Sequence, residues 1–406
     1  MMMGKKRTLF TLSLALLCLC VLSFSAFGAD PKYTKSSTFG PKITDGVTEE
    51  FLSMIREDPD IAKGKPLRLG GVVTVEDLKA LAPLADILTG LEISSPKELA
   101  DLSPLAALSG LTFLKLESLR DVTTLDPLKA LTAMKKLEIK QVEYPDLAFL
   151  APMTQLEELS FFMQPKGLED LSPLSGKPSL RVLRLYGTSV TDISVLAELT
   201  ALEELSLYMV RTGDLSPIQG LTKLTTLSLY GVAAKDMSPV GNLTELKDLW
   251  IYATKFEDYS PLAKLTKMES LRAGISKLDT LECVVHMPNL KVVKLLREDI
   301  TDVSPLAQCP KLQEIVLEGI TGPVDLSHFA GLEKLEILNV DGTTVKNPEA
   351  ITGMPKLRTL SLQKTEGIPD FSMFKDLPKL QYIYAKVDQF PEEQIEPYGA
   401  KAKIQK

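Results

Sequence analysis

Aspartate residues recur in this chain at a regular interval, and a regular column of carboxylates could bind metal ions. They are Asp170, Asp192, Asp214, Asp236, Asp258 and, after an interruption at Thr280, Asp302. Repeats stacked as parallel strands would place these carboxylates about 4.8 Å apart. Calcium, however, takes about six to eight oxygen ligands, usually from clustered acids. One Asp per repeat instead favours an acceptor for backbone N–H groups of its own turn, and no metal site is predicted.

A column of aromatic residues is the stronger candidate for a binding site. Five consecutive repeats carry an aromatic residue at one outward position, in a chain that is only 6% aromatic. Exposed aromatic residues often mark interfaces, although tyrosines can also pair across strands to stabilise a sheet. The sequence favours a ligand-contacting ridge, with two arginines at its edges. The predicted site residues are Phe162, Arg184, Tyr186, Tyr208, Tyr230, Trp250, Tyr252 and Arg272.

The remaining reactive residues do not form a catalytic set. His286 and His328 fall in different repeats, and the chain has no Gly-rich phosphate loop, metal-spaced Cys/His cluster or convergent Ser/His/Asp set. Cys283 and Cys309 could form a disulfide in an exported protein. They could equally be small buried residues, and Cys309 occupies a position where other repeats have a core leucine. The sequence therefore predicts a protein without enzymatic activity, cofactor or metal.

These residues are positioned by a Leu-x-Leu segment that repeats along the chain. Successive first residues of the pairs, called anchors below, are separated by 22 to 24 residues. The anchors are Leu91, Leu114, Leu137, Leu159, Leu183, Leu205, Leu227, Leu249, Leu271, Val293, Ile315, Leu338 and Leu360. A period of about 20–29 residues built on L-x-x-L-x-L predicts an α/β leucine-rich-repeat solenoid. We expect an arc with a parallel concave sheet and short 3-10 or turn elements on its convex side.

Each repeat divides into a strand and a compact return segment. In the strand Leu205 and Leu207 should point into the core, while Tyr208 points outward, because side chains alternate along a strand. The return segment often contains Asp-x-Ser-Pro-Leu, as in residues 170–174. We expect the Ser to cap a short helix whose first residue is the Pro. About seven residues remain before the next repeat, enough for one or two turns of 3-10 helix.

The two ends of the chain differ from the repeats. Residues 1–28 have a basic start and a short apolar run, which predicts a cleaved signal peptide. Residues 29–66 are assigned as a leader and N-terminal helical cap, with a helix in residues 46–57 capped by Asp45. Residues 67–385 form the solenoid of about 14 repeats, and residues 386–406 a C-terminal tail. After cleavage no segment is expected to bind a membrane.

The overall charge also limits the class of partner. The net charge is −7, and loss of the three basic residues of the signal peptide changes it to −10. Nucleic-acid binding needs a basic face that displaces counterions, so no nucleic-acid partner is predicted.

The combination of L-x-x-L-x-L, a D-x-S-P-L turn and a 22-residue period resembles the internalin-like leucine-rich-repeat proteins of bacteria. The resemblance covers about residues 67–385 and implies a binding surface, since internalins use the concave face to bind host receptors. Three features differ from the family. Its asparagine ladder is replaced at positions such as Thr188 and Val210, where Thr could still hydrogen-bond locally. We also find no immunoglobulin-like domain after the repeats and no wall anchor.

Together these patterns predict an exported, secreted or periplasmic protein that binds a protein ligand through its concave face. The alternative is a glycan-binding adhesion protein in which sugar rings stack on the aromatic ridge. The available acids Glu204 and Asp248 leave both ligand classes open.

Overall fold

The computed structural model describes residues 32–35, 38–144, 146–162, 168–386 and 389–405. The predicted signal peptide, residues 1–28, lies outside the described residues. Within the described part, one sheet of 18 strands runs the length of the molecule, and neighbouring repeats contribute neighbouring parallel strands. The predicted leucine-rich-repeat solenoid is confirmed.

The strands of this sheet recur once per repeat. In chain order they are β1 (Lys32–Thr34), β2 (Lys42–Thr44), β3 (Leu67–Gly70), β4 (Gly90–Ser94), β5 (Phe113–Glu117), β6 (Lys136–Lys140), β7 (Glu158–Phe162), β8 (Val182–Tyr186), β9 (Glu204–Tyr208), β10 (Thr226–Tyr230), β11 (Asp248–Tyr252), β12 (Ser270–Gly274), β13 (Val292–Leu296) and β14 (Glu314–Glu318). They continue with β16 (Ile337–Asn339), β18 (Thr359–Ser361), β19 (Tyr382–Lys386) and β20 (Ala402–Gln405), while β15 (Val324–Asp325) and β17 (Val345–Lys346) form a separate pair. The register aligns the anchors, so that Leu205, Leu227 and Leu249 are direct partners.

The return segments are short 3-10 helices, as the residue spacing predicts. They are Ala82–Leu84, Ser103–Ala107, Asp126–Ala130, Ala148–Leu150, Ser172–Leu174, Ser194–Glu198, Ser216–Ile218, Val240–Asn242, Ser260–Lys264, Glu282–His286, Ser304–Gln308, Leu326–Phe329, Pro348–Gly353, Phe371–Asp376 and Glu396–Lys401. The α-helices of the described part are α1 (Glu49–Arg56), α2 (Pro59–Ala62), α3 (Val75–Ala80) and α4 (Glu392–Ile395). No helix among the described residues has both the length and the apolar character needed to cross a membrane.

The core lies between the sheet and the 3-10 helices. Leu205 and Leu207 of β9 are fully buried, and so is Leu196 of the preceding 3-10 helix. This confirms the predicted strand phase, because the outward positions at the two ends of the same strand, Glu204 and Tyr208, are partly exposed. The face of the sheet opposite the core, formed by these outward side chains, is called the open face below.

The start of each return segment differs from the prediction in one detail. The Asp170 carboxylate accepts hydrogen bonds from the backbone N–H of Ser172, at 2.7 Å, and from its hydroxyl, at 2.8 Å. Ser172 is itself the first residue of the 3-10 helix, and Pro173 the second. The predicted serine cap was therefore wrong, because the carboxylate two residues earlier satisfies the exposed N–H.

Structure continues beyond residues 67 and 385 at both ends of the solenoid. Strand β2 pairs in parallel with β3, and β1 pairs antiparallel with β2. The first helix is capped by Thr48, which accepts a hydrogen bond from the Phe51 N–H, and not by Asp45. Asp45 instead has a φ of 63° and accepts the N–H of Val72, because the chain turns there. At the other end β20 extends the sheet beside β19.

Five residues past each anchor, where the internalin-like family has its asparagine ladder, this chain uses different contacts. Val210 is buried there, and the buried Glu298 accepts hydrogen bonds from the backbone N–H groups of Ser276 and Leu278, at 2.9 and 2.7 Å. The Thr188 hydroxyl, for which local hydrogen bonding was predicted, has no partner among the described residues. Apolar packing and single side chains thus replace a continuous ladder.

Candidate functional site

The predicted aromatic ridge exists as a continuous stack on the open face. The parallel register places Tyr186, Tyr208, Tyr230 and Tyr252 side by side. Their ring centroids are 5.3, 4.0 and 4.8 Å apart in that order, with interplanar angles of 20°, 15° and 6°. Phe162 extends the stack at 4.9 Å from Tyr186. The rings therefore cover one another's faces and present mainly their edges to solvent.

A glycine ends this stack at its C-terminal side. Gly274 is the partner of Tyr252 on the next strand. A Cβ atom built on Gly274 would lie 2.4 Å from two ring carbons of Tyr252, so the ring occupies the space that a side chain would need. The ridge is thus packed on both sides, and its tyrosines are half-buried. Burial, together with a hydrogen bond to Tyr230, raises the pKa of Tyr208 to about 12, so this phenol is neutral at physiological pH.

Trp250 differs from the ridge residues because it remains open to solvent. It lies at the centre of β11, between the inward residues Leu249 and Ile251, and its side chain points to the open face. The residue is 45% exposed. The Arg272 guanidinium lies over the indole at 5.9 Å from the ring centroid. Among the described residues no second aromatic ring or cation packs on Trp250.

Both arginines of the predicted site form ion pairs with acids of adjacent strands. Arg184 donates from Nε and Nη2 to the two carboxylate oxygens of Glu204, at 2.6 and 2.7 Å. Arg272 donates from Nη1 to Asp248, at 2.8 Å. These pairs lie on opposite sides of β10. Within each pair the positive and negative charges neutralise each other. The structure thus brings all eight predicted residues to one face, although the arginines are paired and the tyrosines are partly covered.

Two exposed apolar residues beside the ridge were not predicted. Strands β8 to β14 are each followed by a residue with positive φ, whose N–H continues the ladder to the next repeat, as Met209 N–H does to the Tyr230 carbonyl. At this position Met209 has a φ of 57° and is 50% exposed, and Ile275 has a φ of 52° and is 45% exposed. A β-branched residue is strained in this conformation. An exposed Ile at such a place favours a role in contact with a ligand, and the 22-residue period could have identified the position.

The other reactive residues lie outside this face. The aspartate column is confirmed as structural, since members such as Asp258 and Asp302 accept hydrogen bonds from the serine two residues later. Thr280, which interrupts the column, accepts the backbone N–H of Glu282 in the same way. His286 and His328 lie in separate 3-10 helices, Glu282–His286 and Leu326–Phe329. The described part of the chain contains no group of three acidic, histidine or cysteine side chains arranged to hold a metal ion.

The architecture is similar to solved leucine-rich-repeat proteins of bacteria. An internalin, InlF, from Listeria monocytogenes is 25% identical, with a TM-score of 0.61 over 84% of this chain and 93% of that chain. A leucine-rich-repeat protein of Leptospira interrogans is 21% identical, with a TM-score of 0.73 over 89% of this chain and 93% of that chain. This chain therefore has an internalin-like leucine-rich-repeat fold. No family model matches the sequence, and no curated protein matches it.

The two cysteines in the described part of the chain are free thiols. The functional domain of InlJ from Listeria monocytogenes, which includes a cysteine ladder, is 19% identical, with a TM-score of 0.52 over 74% of this chain and 70% of that chain. Here Cys283 and Cys309 are buried and unpaired. Burial raises the pKa of Cys283 to about 12 and that of Cys309 to about 11. Both thiols therefore stay protonated and behave as small core residues, as the position of Cys309 in the repeat predicts.

Proposed function

We propose that this protein binds a protein partner through the open face of its sheet. The observation that carries the proposal is Trp250, which is 45% exposed beside a packed aromatic ridge. Tryptophan and tyrosine contribute large rigid contact areas and are enriched among the residues that dominate binding energy. Exposed Met209 and Ile275 enlarge the same apolar surface.

The stacking geometry supports a protein rather than a glycan as the ligand of the ridge itself. A sugar ring binds to the face of an aromatic ring, but the faces of Tyr208 and Tyr230 are 4.0 Å apart at their centroids and cover each other. Their edges and hydroxyl groups remain to contact a partner. The pre-stacked rings would lose little conformational entropy on binding, which favours affinity.

The proposal includes the location and chemistry expected from the sequence. We place the mature protein outside the cytoplasm, secreted or periplasmic, on the basis of the predicted signal peptide in residues 1–28. We propose no enzymatic activity, cofactor or metal, and no nucleic-acid partner because the net charge is −7. The internalin-like fold supports a binding role, and the ligand is a protein in this proposal.

A photo-crosslinking experiment tests the location of the partner. A photoreactive phenylalanine analogue placed at Met209 should form covalent products with a partner from host or bacterial surface extracts. The matched control carries the analogue at Val285, an apolar residue of a 3-10 helix that is 39% exposed. Products from position 285 alone would contradict the proposal, because they would place the partner on the opposite side of the solenoid.

A further inference from the structure

A cavity of about 220 Å³ opens where strands β13, β14, β16 and β18 end, beyond Gly274, where the aromatic ridge stops. It is smaller than the roughly 300–1,000 Å³ of pockets for drug-sized ligands. The described residues that line it are all charged, amide or glycine residues. Its size and its lining therefore indicate a small polar ligand rather than an apolar one.

Two glycines form the floor of this cavity. Gly319 and Gly342 have φ values of 62° and 65° and occupy the position at which Met209 and Ile275 carry exposed side chains in other repeats. The backbone conformation at this position therefore does not require glycine. A Cβ atom built on Gly342 would have only backbone atoms of Gly319 within 4 Å, at 3.8 and 3.9 Å. The missing side chains thus leave open space between the neighbouring charged residues.

Two cations flank the glycines at the same repeat position. The register places Arg297 on one side and Lys364 on the other, three strand spacings or about 14 Å apart at their Cα atoms. The Cγ atom of Arg297 lies 3.6 Å from the place of a Cβ on Gly319, so the arginine side chain borders the cavity. Both cations are exposed, and neither forms an ion pair with a described residue. Arg184 and Arg272, by contrast, are each paired with an acid.

The two carboxylates of the cavity have different surroundings. Asp341 accepts hydrogen bonds from the Ser361 hydroxyl and from the backbone N–H of Gln363, both at 2.7 Å, which fix its position. Glu318 lies at the equivalent place of the preceding repeat and has no hydrogen-bond donor among the described residues. Partial burial raises the pKa of both groups, and the charge of Asp341 raises the pKa of Glu318 further. An ammonium group of a ligand would offset both effects.

We infer that this cavity binds a small zwitterion that carries a primary ammonium group and a carboxylate, as a free amino acid or a very short peptide does. The carboxylate of the ligand lies against Arg297 and Lys364, whose N–H donors suit a carboxylate. Its ammonium group donates to Glu318 and to the remaining lone pairs of Asp341, because a carboxylate can accept about four hydrogen bonds. The site is separate from the proposed protein interface around Trp250 and does not depend on it.

The charges of the cavity favour a zwitterion over a ligand with one charge. An anion would meet the two carboxylates as well as the cations, and a cation would meet the arginine and the lysine. Like charges brought together disfavour binding. Quaternary ammonium groups, which lack N–H donors, are recognised by aromatic rings, and none of the described lining residues is aromatic. The ligand is therefore expected to carry a primary ammonium group.

Isotope-labelled glycine provides a local measurement. The mature protein is labelled at its glycines and titrated with alanine and with dialanine, and the backbone amide signals are followed by NMR. At least one of the two zwitterions should shift the signals of Gly319 and Gly342 saturably. The signal of Gly231, at the same repeat position beside the ridge, should not move. The preferred zwitterion distinguishes a site for free amino acids from one for short peptides.

Three analogues of alanine test the two charged groups separately. N-acetylalanine lacks the ammonium group, alanine amide lacks the carboxylate, and glycine betaine has a quaternary nitrogen without N–H donors. Each should bind at least about tenfold more weakly than the preferred zwitterion. Equal affinity for any of the three would overturn the inference, because the cavity would then not require both groups. The absence of a saturable shift with alanine and dialanine would overturn it as well.

Matched substitutions test which side chains hold the ligand. Arg297→Gln and Glu318→Gln should each weaken the zwitterion at least about tenfold, because each removes a charged hydrogen-bond partner. The control Lys255→Gln removes an exposed lysine that does not line the cavity and should bind as the wild type does. Melting temperatures verify folding, and Lys364→Gln replaces Arg297→Gln if that variant unfolds. Equal weakening by the control would overturn the inference, whereas crosslinking from Met209 would be unaffected.

Discussion

At the scale of single residues, Trp250 and Tyr208 have different surroundings although both face the same side of the sheet. Tyr208 lies between two stacked rings, with centroids at 5.3 and 4.0 Å, whereas Trp250 is 45% exposed. Truncation of a residue that serves packing lowers the stability of the protein, and truncation of one that serves binding lowers its affinity for the partner. The two stacked neighbours give Tyr208 a packing role, and the proposed interface would add a role in binding.

Truncation of the two rings should separate these contributions. Tyr208→Ala removes two stacked pairs, each worth about 0.5–1.5 kcal/mol, and should lower the free energy of unfolding by about 1–3 kcal/mol. Trp250→Ala removes the contact with Arg272 and should cost less than about 1 kcal/mol. Urea unfolding of both variants measures the difference. A greater loss of stability for Trp250→Ala would show that this residue is primarily structural.

The turn aspartates make stability depend on acid pH. Hydrogen bonds from the following serines lower the pKa values of Asp236 and Asp258, and those from Ser327 and Asn347 lower that of Asp325 to about 2. An unfolded Asp titrates near about 3.9. The stabilisation is thus complete above about pH 4 and is lost as the pH falls toward about 2.

Neutral variants of the turns test this pH dependence. Asn at positions 236 and 258 still accepts the serine N–H but does not titrate. The double variant Asp236→Asn/Asp258→Asn should therefore lose less stability between about pH 4 and 2 than the wild type, measured by urea unfolding at several pH values. The raised pKa of buried Glu298 acts in the opposite direction in both proteins, so it does not affect the comparison. An unchanged slope would contradict the assigned role of the turn carboxylates.

At the scale of elements, the aromatic stack ends at Gly274, the last residue of strand β12. Gly274→Ala would place a methyl group 2.4 Å from two ring carbons of Tyr252, so the ring must move away from its stacked position. Overpacking of this kind costs about 1–3 kcal/mol. The control Gly220→Ala has no atom within 4 Å of the new methyl group and should leave stability unchanged or slightly raised. Thermal unfolding of both variants makes the comparison, and equal losses would contradict the packing of Tyr252 on Gly274.

The sequence predicted the elements better than the contacts between their side chains. The anchors and the alternation within each strand determine which residues face outward, so the strand phase and the position of Trp250 could be predicted. The rotation of a ring and the pairing of charges depend on side chains of neighbouring strands. The covered faces of the ridge and the Arg184–Glu204 ion pair therefore could not be predicted from the sequence. The positive φ of Met209 and Ile275 has no signature in residue type, since other repeats have Ser, Gln, Gly, Ala, Arg or Lys at the same place.

At the scale of the whole molecule, the solenoid repeats a simple unit so that one face can carry a long surface. Each strand contacts mainly its two neighbours, and additional elements continue the sheet beyond the leucine repeats at both ends. The repeated scaffold tolerates variation at its outward positions, because the core depends on the inward leucines. We therefore propose that recognition is confined to a few adjacent repeats, those from β8 to β12.

The most direct test of the open face as the binding surface is the affinity of a purified partner for matched variants. Wild type, Trp250→Ala and Val285→Ala are compared by calorimetry, with melting temperatures recorded for each. We expect Trp250→Ala to weaken binding roughly thirtyfold, which corresponds to about 2 kcal/mol at a residue central to an interface. Val285→Ala, on the other side of the solenoid, should bind as the wild type does. Unchanged affinity for Trp250→Ala together with weakened binding by Val285→Ala would contradict the account.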